Sequence, residues 1–208
     1  MLKLHYFPLY GRGEPIRMLL DHAGVKFEEN KISFADWPAL KASGKFEFGQ
    51  LPCLEWKDGT QMTQTYAILR ALGIEYGYYP WGDFEKMWIC DSTIDAIYDV
   101  FPKFTDIFMA STDAAKAENL KSFLETTLPT MLKIFDTRLK GRVYFTGKLS
   151  IADFAFGSFL SQTVGNPSSP HGAAFTAVLK KFPNCCAFWE NFAKENDAHL
   201  KARPTAFL

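Results

Sequence analysis

The chain has 208 residues, of which 23 are basic and 23 acidic, so its formal net charge is zero. Apolar residues make up 48% of it and aromatic residues 16%, which excludes an intrinsically disordered chain and is ample for a buried core. The balanced charge gives no basic face for a nucleic acid, and no apolar run approaches the roughly 20 residues of a membrane-spanning helix. We therefore expect neither a nucleic-acid nor a membrane partner, and a length sufficient for two domains.

The four cysteines are Cys53, Cys90, Cys185 and Cys186. Two of them are adjacent and none has the spacing of metal ligands, so we expect neither a metal site nor a disulfide framework. Free thiols indicate a reducing compartment. Residues 1–7 also lack the long apolar core of a signal peptide. These features predict a cytoplasmic protein.

The first 73 residues have the pattern of an α/β unit. Residues 2–8 alternate as a strand that ends near Tyr6, and Glu14 with Pro15 opens a helix that Gly24 ends. The other predicted elements are a strand over 25–32, an irregular loop over 33–50, a hairpin of strands over 51–56 and 61–63, and a helix over 64–72 that ends at Gly73. The order β-α-β, loop, β-β-α is that of a thioredoxin-like domain.

The strand pattern disappears after a linker over 74–83 that is rich in glycine and aromatic residues. Ser150 can cap a later helix while Asp153 reaches back in a capping box, so we assign Asp153 to folding and not to chemistry. We therefore predict an α/β plus all-α fold, with a thioredoxin-like domain over 1–73 and an all-helical domain over 84–208. The predicted helical stretches of the second domain are 84–109, 113–139, 150–164, 172–181 and 184–196.

Five short motifs lie in order along the chain. They are Tyr-Phe-x4-Arg-Gly at 6–13, Ala-Asp-Trp-Pro at 35–38, Gly-Gln-Leu-Pro at 49–52, Gln-Thr-x-Ala at 64–67 and Ser-x-Ala-Asp-Phe at 150–154. The first four fall where a thioredoxin-type unit has its active-site loops, but no Cys-x-x-Cys pair is present there. Such a site has to use the thiol of a bound molecule, which indicates glutathione.

With these motifs in this order, the chain resembles the cytosolic glutathione S-transferase family over essentially its whole length. The resemblance is greatest to the sigma-like classes, whose members share a tyrosine near residue 6 and an Asp-Trp-Pro loop. It implies a homodimeric enzyme that uses glutathione as a co-substrate and transfers it to hydrophobic electrophiles, as in detoxification.

The resemblance places the Tyr6 hydroxyl and the Arg12 guanidinium beside the glutathione sulfur. A free thiol has a pKa of about 8.5, so only a few per cent of it is thiolate at neutral pH. A hydroxyl that donates to the sulfur stabilises the anion, and lowering the thiol pKa by two units takes about 2.7 kcal/mol. Tyr10, one loop further on, is the alternative phenol, and Arg17 is interpreted as structural.

Trp37, Lys41 and Gln50 match the residues that the family uses around the glycyl end of glutathione. An indole N–H and an ammonium group suit a carboxylate. Lys45 is an alternative to Lys41, because the loop departs from the family pattern between residues 42 and 48. The choice between the two lysines stays open at this point.

The next two motifs match the rest of the glutathione site. The Leu51–Pro52 peptide should be cis, which would leave the Leu51 N–H and C=O free to pair with the cysteinyl backbone. Gln64 and Thr65 begin a helix whose free N–H groups suit the γ-glutamyl carboxylate. By the same resemblance, Asp99 reaches across the dimer interface to the γ-glutamyl ammonium of the glutathione bound by the partner subunit.

The second substrate should be hydrophobic, because the surface near Tyr6 would face the first long helix and the C-terminal tail. The candidate contacts are aromatic or aliphatic residues of these two segments: Phe101, Phe104, Ile107, Phe108 and Phe207. Faces rich in phenylalanine are also typical of a plain core, so both interpretations remain open.

Three other functions compete with conjugation. A glutathione-dependent isomerase, acting for example on prostaglandin-type endoperoxides, would return the thiol unchanged. A structural or ligand-carrying protein such as a lens crystallin would reuse the fold with an altered thiol site, whereas Tyr6, Arg12 and Gln64 are all present here. A redox thioredoxin-like protein is disfavoured because the loop over 9–13 has no cysteine.

Overall fold

The computed structural model describes residues 1–206. Its N-terminal part is a four-stranded mixed sheet in the order β2-β1-β3-β4. The strands are β1 (Leu2–Tyr6), β2 (Phe27–Lys31), β3 (Cys53–Glu55) and β4 (Gln61–Thr63). β1 pairs in parallel with β2 and antiparallel with β3, so that Leu4 lies opposite both Glu29 and Leu54. The predicted strand order along the chain is therefore confirmed, with shorter second and third strands.

Three α-helices accompany the sheet: α1 (Glu14–His22), α2 (Trp37–Ala42) and α3 (Thr65–Tyr76). The prediction of a wholly irregular loop over 33–50 is wrong, because α2 lies within it. Ser33 and Asp36 form a hydrogen-bonded turn before α2, and Pro38 occupies its first turn. Six residues are too few for helical periodicity to be visible in the sequence.

The third helix does not end at Gly73 as predicted. It continues to Tyr76, and Gly77 ends it in the left-handed region with φ of 82°. Gly73 has a packing role instead, since a Cβ atom there would lie 2.5 Å from Cγ2 of Ile151. Glycine at this position allows α3 to approach the helical half of the molecule closely.

The C-terminal part is all-helical, which confirms the predicted fold class. Its helices are α4 (Phe84–Met109), α5 (Asp113–Ser122), α6 (Leu128–Leu139), α7 (Ile151–Thr163), α8 (Gly172–Leu179), α9 (Pro183–Glu195) and α10 (Asp197–Ala202). The stretch predicted over 113–139 contains α5 and α6, joined by a π-helical turn over Phe123–Thr127. The short α10 was not predicted. Within residues 1–206, no helix combines the length and the apolar character that crossing a membrane requires.

Helix α7 is the centre of the molecule, because every one of its residues is buried. It packs against α1 and α3 on one side and against α4 and α9 on the other. The predicted capping box is present: Asp153 Oδ2 accepts hydrogen bonds from the Ser150 N–H (2.8 Å) and hydroxyl (2.6 Å). Asp153 Oδ1 also accepts from the Phe145 N–H (3.0 Å), so this carboxylate fixes the start of the central helix.

Candidate functional site

A cleft of about 360 Å³ lies where the loops of the sheet meet α4. Most of the sequence-predicted binding residues line it together: Arg12, Trp37, Lys41, Gln50, Leu51, Pro52, Gln64 and Thr65. Four motifs that are far apart in the sequence therefore form one site. The remaining walls are Phe7, Gly49 and Tyr98, which the sequence analysis missed.

Tyr6 ends β1 and is only 6% exposed. It is not itself a wall of the cleft, but its chain neighbour Phe7 and its hydrogen-bond partner Arg12 are. Its hydroxyl oxygen accepts a hydrogen bond from the backbone N–H of Arg12 at 2.8 Å. Because the oxygen acts as acceptor there, the hydroxyl hydrogen remains available to donate elsewhere. Burial raises the pKa of Tyr6, against the opposing effect of that N–H and of nearby arginines, so the phenol stays protonated at neutral pH. It can thus act as a hydrogen-bond donor.

Two glycines make room for the Tyr6 ring. A Cβ atom at Gly11 would lie 2.5 Å from the Tyr6 hydroxyl, and one at Gly13 would lie 2.6 Å from its Cδ1 atom. Gly11 also has a φ of +44°, which L-residues rarely adopt. The glycine-flanked loop therefore packs directly against the phenol.

Arg12 lies at the junction of the loop, α3 and α4. Its guanidinium carbon is 5.1 Å from the centre of the Tyr98 ring and 5.2 Å from that of Phe101, which is cation–π geometry. Its carbonyl accepts a hydrogen bond from the Thr65 hydroxyl at 3.2 Å. These contacts hold a positive charge at the mouth of the cleft. Tyr98 and Phe101 are three residues apart on one face of α4, which is the only signal of this contact in the sequence.

Arg17 supports the same loop from the side of α1. Its guanidinium donates to the carbonyls of Leu9 (3.0 Å) and Tyr10 (3.3 Å) and pairs with Glu14 and Glu29. Its guanidinium carbon also lies 5.6 Å from the centre of the Tyr6 ring. These contacts agree with the structural role assigned to Arg17.

The two candidate lysines occupy different places. Lys41 lines the cleft and packs beside Gly49, where a Cβ atom would lie 3.5 Å from Lys41 Cγ. Lys45 is not a wall of the cleft, and its ammonium lies 5.7 Å from the centre of the Phe46 ring. The geometry therefore favours Lys41 as the cation of this site.

The predicted cis peptide before Pro52 is present. Gln50, just before it, accepts a hydrogen bond through Oε1 from Gln64 Nε2 at 3.1 Å, so two of the motifs contact each other directly. Gln64 is the one non-glycine residue with positive φ in the described part of the chain, at 68°. Backbone strain of this kind costs about 1–3 kcal/mol and is concentrated at functional sites.

Tyr10, the alternative phenol, and Asp99 both lie outside the cleft. Tyr10 is buried under the Arg203 guanidinium, whose carbon is 4.1 Å from the ring centre, and its hydroxyl donates to the Pro204 carbonyl at 2.8 Å. Tyr10 is therefore directed toward the C-terminal segment. Asp99 is exposed and lies along a groove between α4 and α6 with Val100 and Lys103.

The phenylalanines predicted to contact a second substrate separate into different environments. Phe101 touches Arg12 and is 6% exposed, and Phe108 is half-buried. Phe104 is fully buried among Phe108, Phe123 and Phe159, and Ile107 is also buried, so both belong to the core and cannot form the wall of an open pocket. The prediction for Phe207 falls outside the described residues.

An aromatic surface that the sequence analysis missed adjoins the cleft. Phe34 is 60% exposed, and its ring stacks on that of Phe7 at 4.8 Å with an angle of 12°. Phe7 in turn meets Trp37 edge-on at 5.7 Å. The position of Phe34 just before the Asp-Trp-Pro motif is the signal that could have identified it.

Two domain models of one protein family match the chain. The model of the glutathione S-transferase N-terminal domain matches residues 2–72, and that of the C-terminal domain matches residues 98–200. A glutathione S-transferase of Dirofilaria immitis is 33% identical over 187 residues, which cover 89% of this chain and 84% of the relative. The chain belongs to the glutathione S-transferase family. S-crystallin SL11 of Nototodarus sloanii is 32% identical to this family member over 98% of both chains.

Solved structures that are similar to this chain have the same fold. Prostaglandin synthase D of Nilaparvata lugens superposes with a TM-score of 0.84 at 29% identity, over 99% of this chain and 100% of that one. A sigma class transferase of Fasciola hepatica gives 0.82 at 25% identity, over 100% and 98%. The resemblance inferred from the motifs is therefore confirmed, together with the fold class.

Proposed function

We propose that this protein is a glutathione transferase that binds glutathione in the cleft and activates its thiol through Tyr6. The observation that carries the proposal is the Tyr6 hydroxyl, whose oxygen accepts from the Arg12 N–H and whose hydrogen is free to donate. A sulfur placed against that hydrogen is stabilised as thiolate. The Arg12 guanidinium adds a fixed positive charge that lowers the thiol pKa further.

The cleft offers a separate partner for each part of the tripeptide. Trp37 and Lys41 suit the glycyl carboxylate, and Leu51 suits the cysteinyl backbone. Gln64 and Thr65 stand at the N-terminus of α3, where free N–H groups favour the γ-glutamyl carboxylate. The hydrophobic electrophile would lie against Phe101 and against the exposed Phe34 with its neighbour Phe7.

The two lysines provide a test of the site with a matched control. Lys41→Gln is expected to weaken glutathione binding about tenfold, because an ionic hydrogen bond contributes about 1.5 kcal/mol or more. Lys45→Gln removes the same charge from the same loop and should leave affinity within about twofold, since exposed charges contribute little. Isothermal titration with glutathione, followed by a conjugation assay with an aromatic electrophile, measures both. Equal affinities of the two variants would remove Lys41 from the site.

The strained residue Gln64 provides a second matched pair. Gln64→Ala and Gln64→Gly both remove the amide that bonds Gln50, and each should weaken glutathione binding about tenfold. Only glycine relieves the backbone at φ of 68°, so Gln64→Gly should be more stable than Gln64→Ala by about 1 kcal/mol. Urea denaturation measures this difference. Equal stability of the two variants would show that the strain is not significant.

An isomerase is the second candidate function, favoured by the structural match to a protein named prostaglandin synthase D. Isomerisation returns glutathione and conjugation consumes it, so the amount of free thiol after turnover distinguishes them. A crystallin-like role, suggested by the S-crystallin relative, predicts no turnover at all. The hydrogen bond between the Tyr6 hydroxyl and Arg12, which lines the cleft, supports an enzyme.

We also propose a homodimer, a cytoplasmic location and a role in detoxification. Large apolar side chains are exposed on and between α3 and α4, which supports an interface there: Ile74, Trp81, Phe84, Trp88 and Tyr98. The four cysteines are free thiols, as expected in a reducing compartment. The family resemblance is the ground for proposing that Asp99, which lies in the groove between α4 and α6, completes the site of the other subunit.

Hybrid dimers test this role of Asp99. A subunit with Tyr6→Phe is co-expressed with one that carries Asp99→Asn, and the hybrid is purified through two different tags. If Asp99 acts across the interface, the hybrid contains one intact site and is active, although each parental homodimer is impaired. An inactive hybrid would indicate that Asp99 acts within its own subunit, and elution as a monomer would contradict the dimer.

A further inference from the structure

The loop that carries Arg12 is held by the C-terminal half of the molecule. We define the active-site loop as residues 8–13. Gln162, on the central helix α7, donates through Nε2 to the carbonyl of Gly11 at 3.1 Å, across 151 positions of sequence. This bond joins the two halves of the chain at the residue before Arg12.

The Gly11 carbonyl and the Arg12 N–H belong to one peptide unit, which is planar and rigid. The carbonyl and the N–H lie in that plane and point in opposite directions, so fixing the direction of the carbonyl also fixes that of the N–H. That N–H is the group that donates to the Tyr6 hydroxyl at 2.8 Å. Gln162 thus acts on the phenol through a single peptide plane.

Gly11 is the part of the active-site loop that most needs such a restraint. The preceding carbonyls, of Leu9 and Tyr10, are held by Arg17, and the Tyr10 hydroxyl is held by Pro204. Gly11 has no side chain and a φ of +44°, so it can rotate more readily than any other residue type. Among the residues described, Gln162 is the hydrogen-bond donor that reaches its carbonyl.

The Gln162 side chain is buried with only part of its amide hydrogen-bonded. The residue is 1% exposed, and its Oε1 atom has no hydrogen-bond partner within residues 1–206. A buried amide oxygen without a partner costs free energy, and an apolar side chain of similar shape would avoid that cost. The polar group is therefore explained by what its Nε2 atom does, which is to bond Gly11 and, at 3.2 Å, the Ser158 carbonyl.

We propose that Gln162 is a positioning residue for thiol activation. It holds the Gly11–Arg12 peptide plane so that the Tyr6 oxygen is occupied as an acceptor and its hydrogen is directed to the glutathione sulfur. This inference rests on the proposed function of Tyr6. It assigns to the centre of the helical half a role in setting the acidity of a thiol bound in the other half.

The test replaces Gln162 with leucine and, to preserve side-chain length and flexibility, with methionine. Both variants should raise the pKa of bound glutathione by about one unit, which lowers kcat/KM about tenfold at neutral pH and restores it at higher pH. Glutathione affinity at low pH and the dimer should be unchanged. Both variants remove the unpaired Oε1 but also leave the buried Gly11 carbonyl without its donor, so urea denaturation should show a stability below that of the wild type.

Thr163→Val is the matched control, since Thr163 is the neighbouring buried residue of α7 and, within residues 1–206, its hydroxyl bonds only to carbonyls of that helix. The ultraviolet absorbance of the bound thiolate as a function of pH gives the thiol pKa directly. A pKa and pH profile equal to those of the wild type in both Gln162 variants would overturn the proposal. Failure of the proposed function is distinguishable, because wild-type protein would then bind no glutathione or leave its thiol pKa unshifted.

Discussion

Tyr6→Phe is expected to lower kcat about 100-fold while glutathione still binds, because a hydrogen bond to a charged group contributes about 1.5–3 kcal/mol. The ring that packs against Gly11 and Gly13 is preserved, so the loop should keep its shape. The loss should diminish as the pH rises toward about 8.5, where the thiol ionises without help. Rate measurements across pH, with the thiolate absorbance of the complex, check both expectations.

Tyr76→Phe is the matched control for this prediction. Tyr76 lies at the opposite end of α3 from the cleft residues Gln64 and Thr65, so removal of its hydroxyl should leave turnover at the wild-type level. Unchanged activity of Tyr6→Phe at neutral pH would contradict the assignment and transfer thiol activation to Arg12. An equal loss in both variants would indicate a general effect on the fold.

The second large effect concerns stability and involves Glu14, which is 0% exposed. One of its oxygens accepts from His199 Nε2 at 3.0 Å and from Arg203 at 2.9 Å, and the other faces Arg17 at 3.3 Å. Glu14→Gln leaves the buried Arg203 guanidinium without its counter-charge, weakens the pairing of Arg17 and His199, and should cost about 3–5 kcal/mol. Glu28→Gln, which breaks only an exposed pair with Lys3, should cost less than about 1 kcal/mol.

The same cluster predicts how stability depends on pH. Burial opposes the charge of Glu14, but hydrogen bonding and charge from His199, with Arg17 and Arg203, lower its pKa to about 2. Burial likewise opposes the charge of His199, but Asp21 and Glu14 raise its pKa to about 9. The carboxylate's contribution is complete above about pH 4.5 and is lost as the pH falls toward 2. The imidazolium's contribution is complete below about pH 6.5 and is lost as the pH rises through 9.

Urea denaturation between pH 6 and 9 tests the predicted loss of stability as His199 loses its proton. The wild type should lose free energy of unfolding over this range, on the order of 3 kcal/mol at most. The His199→Gln variant has no group that titrates there in the cluster and should lose much less. A wild-type stability that does not change between these two pH values would contradict the paired state of His199.

The sequence identified most residues of this cleft because their motifs are local. Residues 49–52 contain the cis peptide at Pro52, and residues 64–65 contain the positive φ at Gln64. These two short segments therefore determine the local backbone geometry of much of the cleft wall. The contact between Arg12 and Tyr98 depends instead on how α4 docks onto the sheet. No periodicity within either segment contains that information.

The same limit explains the errors. The spacing of Phe101, Phe104 and Phe108 identifies one helical face but does not say which ring lies at its centre, and Phe104 proved to be core. Glycine is typical of a helix end, yet Gly73 lies within α3, where the lack of a side chain allows close contact with Ile151. Both outcomes depend on neighbours that are distant in the sequence.

The position of α7 has a consequence for the order in which this protein can mature on the ribosome. The apolar sides of α1 and α3 pack against α7, which begins only at Ile151. During synthesis they therefore emerge long before the helix that buries them. A stalled chain shorter than about 150 residues would expose these apolar sides and would be a target for chaperones. Completion of the fold, and of the candidate site with it, must wait for the second half to be translated.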